Sequence, residues 1–230
     1  LSLRRHRQMC ITDRGSNTDF AQPVEVVAHA NTKINMEKME QFQTAAGQQY
    51  LPSRTFDNTL TLLEGDDQID LYYFGRGHTD GDIFVVFKNA RPVQTGDMFA
   101  RKGLPYIDSA NTNGSATEFG ATLRKAVAGI SGVDKVIPGH ADDPHTWNDL
   151  VNYSGLYNHL LEQAQASNSR EQSVDDFVST YRAPSEYSDF VIDEGRLRTV
   201  VDLSLIHLSA PTRPRRISDA VWCLKKKRGG

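Results

Sequence analysis

Residues 73–87 read YFGRGHTDGDIFVVF. Gly75, Gly77 and Gly81 surround one histidine, His78, and two aspartates, Asp80 and Asp82, directly before an apolar run. The glycines permit tight turns and close backbone approach. They do not make a dinucleotide fingerprint, which requires G-x-G-x-x-G opening a helix. Here the third glycine comes one position late, and the apolar run Ile83–Phe87 has strand character. A metal reading fits better, because imidazole nitrogen and carboxylate oxygen are good zinc ligands. A strand end holds such a ligand rigidly while the loop aims it into a cleft. Thr79 and Asp82 are placed to hydrogen-bond the loop or to orient the imidazole from behind.

A lone loop histidine is ordinarily a surface or structural residue, so the argument rests on recurrence. Thr95-Gly96-Asp97-Met98-Phe99 puts an aspartate after a glycine at the end of the next short strand. Val136-Ile137-Pro138-Gly139-His140 puts a histidine after a glycine at the end of a later one. His78, Asp97 and His140 thus share one local design, and neighbouring strands could bring them to one sheet edge.

The surrounding pattern is mixed α/β. Strands are expected at Thr59–Glu64, Ile69–Phe74, Ile83–Lys88, Val93–Thr95 and Val133–Ile137, separated by turn residues. Helices are expected over 31–46, 117–130, 145–166 and about 173–181. In the first, Asn31 or Thr32 would cap and Ile34, Met39 and Phe42 would share a face. His29 reads as packing rather than ligand, His145 as a surface position at a helix start, and Tyr106 as a wall of the pocket. No run of about 18 apolar residues occurs, so no transmembrane helix is expected.

In order and chemistry, G-H-T-x-G-D before an apolar strand, then G-D-x-F, then V-I-P-G-H, resembles the metallo-β-lactamase-fold hydrolases. The resemblance runs from about Gly15 to Asp202. It implies an αββα sandwich, two sheets face to face with helices outside, with a metal site at one edge. By position, His78 corresponds to a ligand of a first zinc, Asp97 to the carboxylate bridging two metals, and His140 to a ligand of the second. Asp97 would be the catalytic carboxylate. The implied activity is zinc-dependent hydrolysis, a metal-activated water attacking an ester, thioester, amide or phosphoester of a small-molecule substrate. An aspartate at position 97 is closer to the family's general hydrolases than to its cysteine-containing β-lactamases.

The resemblance stops abruptly before Gly15. The family's H-x-H-x-D-H motif would fall on Gln8, Cys10, Thr12 and Asp13, and none of these matches. Residues 1–14 are therefore expected to be non-native, 15–203 to form a partial domain lacking N-terminal strands, and 204–230 to be a non-native or disordered basic tail. That tail resembles a translated synthetic adapter and holds seven Lys or Arg against one acid. Without it, 19 basic residues face 28 acidic ones, a net charge of −9. An acidic body argues against binding nucleic acid through phosphate neutralisation, and no membrane partner is expected. Two cysteines near opposite ends supply no disulfide framework. Such a chain should expose an apolar sheet face, and its hydrolysis should be impaired, leaving a ligand- or partner-binding member of the same fold as the alternative. The sequence fixes neither substrate, compartment nor oligomeric state.

Overall fold

The sheet that carries the three motifs is a six-stranded mixed one in a computed structural model that describes residues 25–209, with side chains to residue 205. Its strands are β3 (Thr59–Leu62), β4 (Ile69–Tyr72), β5 (Phe84–Phe87), β6 (Pro92–Gly96), β7 (Lys135–Pro138) and β8 (His145–Thr146), hydrogen-bonded in that order. β3 to β6 form an antiparallel meander. The connection from β6 to β7 passes through α3 (Ala116–Gly129), and these two strands pair in parallel. Since β4 and β6 both run antiparallel to β5, the strands β4, β6 and β7 all point the same way. Their C-terminal ends lie along one edge, and each of the three motifs begins there.

Side-chain alternation divides the sheet between two cores. Phe84, Val86, Val93 and Val136 face α3, α4 (Trp147–Asn168) and α6 (Glu194–Ser209), packing with Phe119, Leu123, Leu150, Leu160 and Val200. α5 (Val174–Thr180) adds Phe177 and Val178. On the opposite face Ile69 and Leu71 meet Phe56, with Leu60, Leu62, Val85 and Phe87 only half-buried beside them. Phe56 belongs to β2 (Arg54–Phe56), which pairs in parallel with β1 (Val27–His29). α1 (Ala30–Glu37) packs against this pair. The order of layers is helices, large sheet, two-stranded sheet, helix: an α/β sandwich whose second sheet has two strands among the described residues.

Local chemistry sets the helix boundaries. Ser115 accepts from the Glu118 N–H to start α3. Thr146 and Asp149 form a reciprocal capping box on α4. The helix expected over 31–46 is instead broken into α1, a 3₁₀ turn at Glu40–Phe42 and α2 (Ala45–Gln48). Met36 and Phe42 are both buried, yet six residues apart they would point to different faces of one continuous helix. The break lets both reach the core. Ile34, expected on the apolar face, is exposed, and His29 rather than Asn31 or Thr32 provides the cap.

α6 adds a helix to those expected, and its Leu197, Val200, Val201 and Ser204 recur at helical spacing and are buried. This helix continues across position 204 to Ser209. The expectations on residues 1–24 and beyond 209 lie outside the described residues. Among the described residues no helix is long and apolar enough to cross a membrane.

Candidate metal centre

The loop from β4 to β5 is pinned from several directions. The Gly77 N–H donates to the Thr79 carbonyl, the Ser115 N–H to the Gly77 carbonyl, and the Asp108 N–H to the His78 carbonyl. The Asp80 N–H donates to the Thr112 carbonyl, and the Asp80 carboxylate accepts from the Asn35 amide at 2.7 Å and the Asn113 amide at 3.2 Å. These bonds tie the loop to α1 and to the stretch preceding α3. The Thr79 N–H donates to Asp82 Oδ2 at 2.5 Å, and Thr79 Oγ1 accepts from the Gly81 N–H at 3.1 Å. Thr79 and Asp82 therefore shape the loop. Desolvation pushes the Asp82 carboxyl above its ordinary range, against the pull of the His78 imidazole.

The His78 imidazole is fully buried and is oriented by a group the sequence did not announce. Its Nδ1 lies 2.9 Å from the Tyr106 carbonyl oxygen. A carbonyl can only accept, so Nδ1 carries the proton and the neutral ring's lone pair is on Nε2. That lone pair faces Asp97 Oδ2 at 3.3 Å. Asp97 enters from Gly96, whose φ of 51° turns the chain sharply off the end of β6. His140 follows β7, its backbone N–H bonded to the Ala100 carbonyl, and its Nε2 lies 3.0 Å from Asp97 Oδ1. Gly139 is needed for this approach: a Cβ there would stand 2.6 Å from Asp97 Oδ1 and 2.8 Å from the Gly96 backbone.

The structure thus brings His78, Asp97 and His140 together, with one imidazole at each oxygen of a single carboxylate. Exposure rises from His78 at 1% through Asp97 at 10% to His140 at 39%, so the cluster opens on the His140 side. His78 Nε2 and Asp97 Oδ1 are buried, and although Asp97 Oδ2 and His140 Nε2 lie 3.3 and 3.0 Å away, neither makes a well-aligned hydrogen bond. Burying such atoms unsatisfied is costly. His78 Nε2 and Asp97 Oδ2, 3.3 Å apart, are two acceptors facing one another, and a cation between them, a proton or a metal ion, removes the conflict. The donor set, two imidazole nitrogens and a carboxylate, suits zinc. The residues present therefore fit the implied metal. They meet in pairs across the carboxylate, and among the described residues no group of three or more His, Cys, Asp and Glu side chains forms a ready-made cage.

The neighbouring aromatics have separate roles. His29 Nδ1 accepts from the Asn31 N–H, and its Nε2 lies 2.9 Å from the Asp57 carbonyl oxygen. Its ring stacks on Tyr73 with centroids 3.8 Å apart. Both nitrogens are committed to the fold, and burial lowers the imidazole pKa. Burial also pushes the Tyr73 hydroxyl up to about 12, reinforced by the nearby Asp80 and Asp82 charges. His145, expected at the surface, is half-buried on the edge strand β8. It pairs with Val136 in β8, its ring lies 5.3 Å from that of Phe99, and its Nε2 is buried. Tyr106 is half exposed beside the cluster, its ring centroid 5.7 Å from that of His78.

No family model matches the chain. Among solved structures it is similar to the DIM-1 metallo-beta-lactamase exposed to ceftazidime, at 19% identity and a TM-score of 0.48, over 64% of this chain and 63% of that one. A metallo-beta-lactamase from Pontibacter korlensis matches at 18% identity and a TM-score of 0.43, over 59% of this chain and 58% of that one. TMB-1 matches at 17% identity and a TM-score of 0.43, over 59% and 57%. The chain spans about three fifths of the length of these structures.

Proposed function

We propose that the chain comes from a zinc-dependent hydrolase in which His78, Asp97 and His140 hold metal at the sheet edge. The observation that carries this reading is the placement of two imidazole Nε2 atoms on the two oxygens of one buried carboxylate, with His78 Nε2 and Asp97 Oδ1 making no well-aligned hydrogen bond. The motif resemblance supports the same assignment. When bound, zinc supplies Lewis-acid polarisation of a carbonyl or phosphoryl oxygen and a water acidified toward neutral pH. The chain's own residues hold and orient. The Tyr106 carbonyl keeps the proton on His78 Nδ1 and so leaves Nε2 free as a ligand. Asp97 offers an oxygen to each side, fitting a bridging carboxylate. His140 stands at the solvent side, where a small-molecule substrate would enter.

Three ligands shared between two metal positions form an incomplete set. The reading therefore includes weak zinc affinity and little hydrolysis by this chain. The test is calorimetric titration of the metal-stripped full chain with zinc, together with hydrolysis assays on ester, thioester, amide and phosphoester substrates. His78→Ala and His140→Ala should each weaken zinc binding by about tenfold or more. Zinc affinity unchanged in both variants would remove the metal assignment. Zinc-dependent turnover typical of proficient enzymes, with kcat/KM on the order of 10⁴ M⁻¹s⁻¹ or above, would remove the statement that this chain is impaired.

A further inference from the structure

One short segment grips His78 twice. The Tyr106 carbonyl oxygen lies 2.9 Å from the ring Nδ1, and two residues on the Asp108 N–H donates to the His78 carbonyl at 2.9 Å. Ile107, between them, is buried. Peptide units are planar, so few dihedrals separate the two contacts. Whatever fixes Asp108 therefore fixes the Tyr106 carbonyl as well.

Asp108 is 4% exposed, and its side chain closes a compact turn over residues 108–115. Oδ1 accepts from the Asn111 N–H at 3.1 Å and from the Asn111 side-chain amide at 2.9 Å, and Oδ2 accepts from the Thr112 hydroxyl at 3.0 Å. The Asp108 carbonyl accepts from the Gly114 N–H at 2.9 Å. A carboxylate removed from water needs such donors, because an unanswered buried charge is costly. The far side of the turn comes back to the His78 loop. The Thr112 carbonyl accepts from the Asp80 N–H, the Asn113 carbonyl from Arg76 Nε, and the Ser115 N–H donates to the Gly77 carbonyl. A Cβ on Gly114 would run into the His78 carbonyl, so the turn lies directly on that residue's main chain. Ser115 also caps α3, which ties the turn to the helical layer.

We infer that Asp108 is the positioning residue of the His78–Asp97–His140 centre. By closing its turn it sets the Tyr106 carbonyl against His78 Nδ1, and so keeps Nε2 aimed at Asp97 and open to a metal. Its bearing on metal rests on the reading of that centre proposed above; its hold on the imidazole does not. In Asp108→Ala the Asn111 and Thr112 donors lose their common acceptor and the turn loosens. The ring is then free to carry its proton on Nε2, the tautomer that donates to Asp97 Oδ2 3.3 Å away and has no lone pair there for zinc. Asp108→Asn keeps an oxygen toward Asn111. Its amide can donate to the Thr112 hydroxyl, whose own proton still has the Asp108 carbonyl at 3.1 Å.

The test follows solvent exchange of the His78 Nδ1–H proton by NMR in the full, ¹⁵N-labelled chain treated with EDTA. Asp108→Ala should speed that exchange about tenfold, the equivalent of about one net hydrogen bond, while Asp108→Asn should stay close to the parent. Thr112→Val removes one donor only. It should give a smaller change of the same sign, and it carries the test if the alanine variant does not fold. Val178→Ala, in the core contact of α5, lowers stability away from this turn and should leave the Nδ1–H exchange unchanged. In calorimetric titration with zinc, Asp108→Ala should weaken binding by about tenfold and Asp108→Asn should not. Parent-like exchange in both Asp108→Ala and Thr112→Val, equal acceleration by Val178→Ala, or equal loss in Asp108→Asn and Asp108→Ala would overturn the inference. A parent chain that binds no zinc, with the exchange results as expected, would remove the metal reading and leave Asp108 as the residue that positions the imidazole.

Discussion

Replacing Asp80 tests how the His78 loop is held. The Asp80 carboxylate is buried and accepts from the Asn35 amide at 2.7 Å and the Asn113 amide at 3.2 Å. Asn35 is itself 5% exposed, so in Asp80→Ala its amide N–H loses its partner without gaining water. An orphaned buried donor costs about 1–3 kcal/mol. Asn113 is exposed and exchanges its bond for water at little cost. Removing the carboxylate also relieves its own desolvation, which offsets part of the loss. The backbone bonds from Asp80 to Thr112 and from the Asn31 amide to the Asp80 carbonyl survive. The net expectation is about 2 kcal/mol of destabilisation. At roughly 2–4 °C per kcal/mol for a chain of this size, Tm falls by about 4–8 °C. Asp80→Asn keeps an oxygen toward Asn35 and forfeits chiefly the exposed contact, so it should cost less than about 1 kcal/mol. Urea unfolding followed by far-ultraviolet circular dichroism measures both, with an unchanged m-value as the sign that only stability moved. Equal costs for the two variants, or an alanine variant within about 0.5 kcal/mol of the parent, would refute the claim that a stranded Asn35 amide dominates.

Other consequences can be checked on the same material. Gly139→Ala places a methyl group 2.6 Å from Asp97 Oδ1 and 2.8 Å from Gly96 backbone atoms, which cannot swing away. It should cost about 1–3 kcal/mol in urea unfolding and weaken zinc binding in calorimetry. Tyr157→Phe removes a buried hydroxyl that donates to the Ala116 carbonyl at 2.9 Å, and should cost about 1 kcal/mol in urea unfolding. Partial desolvation of Asp149 is outweighed by Lys102 and the Thr146 bonds, which together lower its carboxyl from the ordinary 3.8 to about 2. The folded state then binds this proton less tightly than the unfolded chain, so the contribution is present above about pH 4 and lost as pH falls through about 2. Stability curves for Asp149→Asn should lack this share of the acid-induced loss, and parallel curves for the two proteins would count against it.

The three site motifs were legible because each is a local pattern, a short apolar strand ending in a glycine and a ligand-type residue. The strands fell where expected to within a few residues because apolar alternation and turn residues mark them directly. The first helix was over-extended because periodicity over 31–46 does not reveal that Met36 and Phe42 must both turn inward. α6 straddles the compositional break at 204, which masks the buried series Leu197, Val200, Val201 and Ser204. His145 beside Pro144 reads as a surface residue, and its pairing with Val136 makes it half-buried. Nothing in the sequence marks the Tyr106 carbonyl as the group that orients His78, since every residue has a carbonyl.

The sequence by itself determined the mixed α/β class, five of the six strands of the large sheet in outline, and the identity of His78, Asp97 and His140 as ligand-type residues at strand ends. These are properties of short segments, governed by side-chain alternation and backbone freedom. Tertiary structure decided that the residues meet. The antiparallel pairings through β5 and the parallel crossover through α3 point β4, β6 and β7 the same way, so three loops distant in sequence open on one edge. It also decided which His78 nitrogen faces the carboxylate and which Asp97 oxygen each imidazole meets. Those are questions of distance between segments, and strand direction, not local composition, sets that distance.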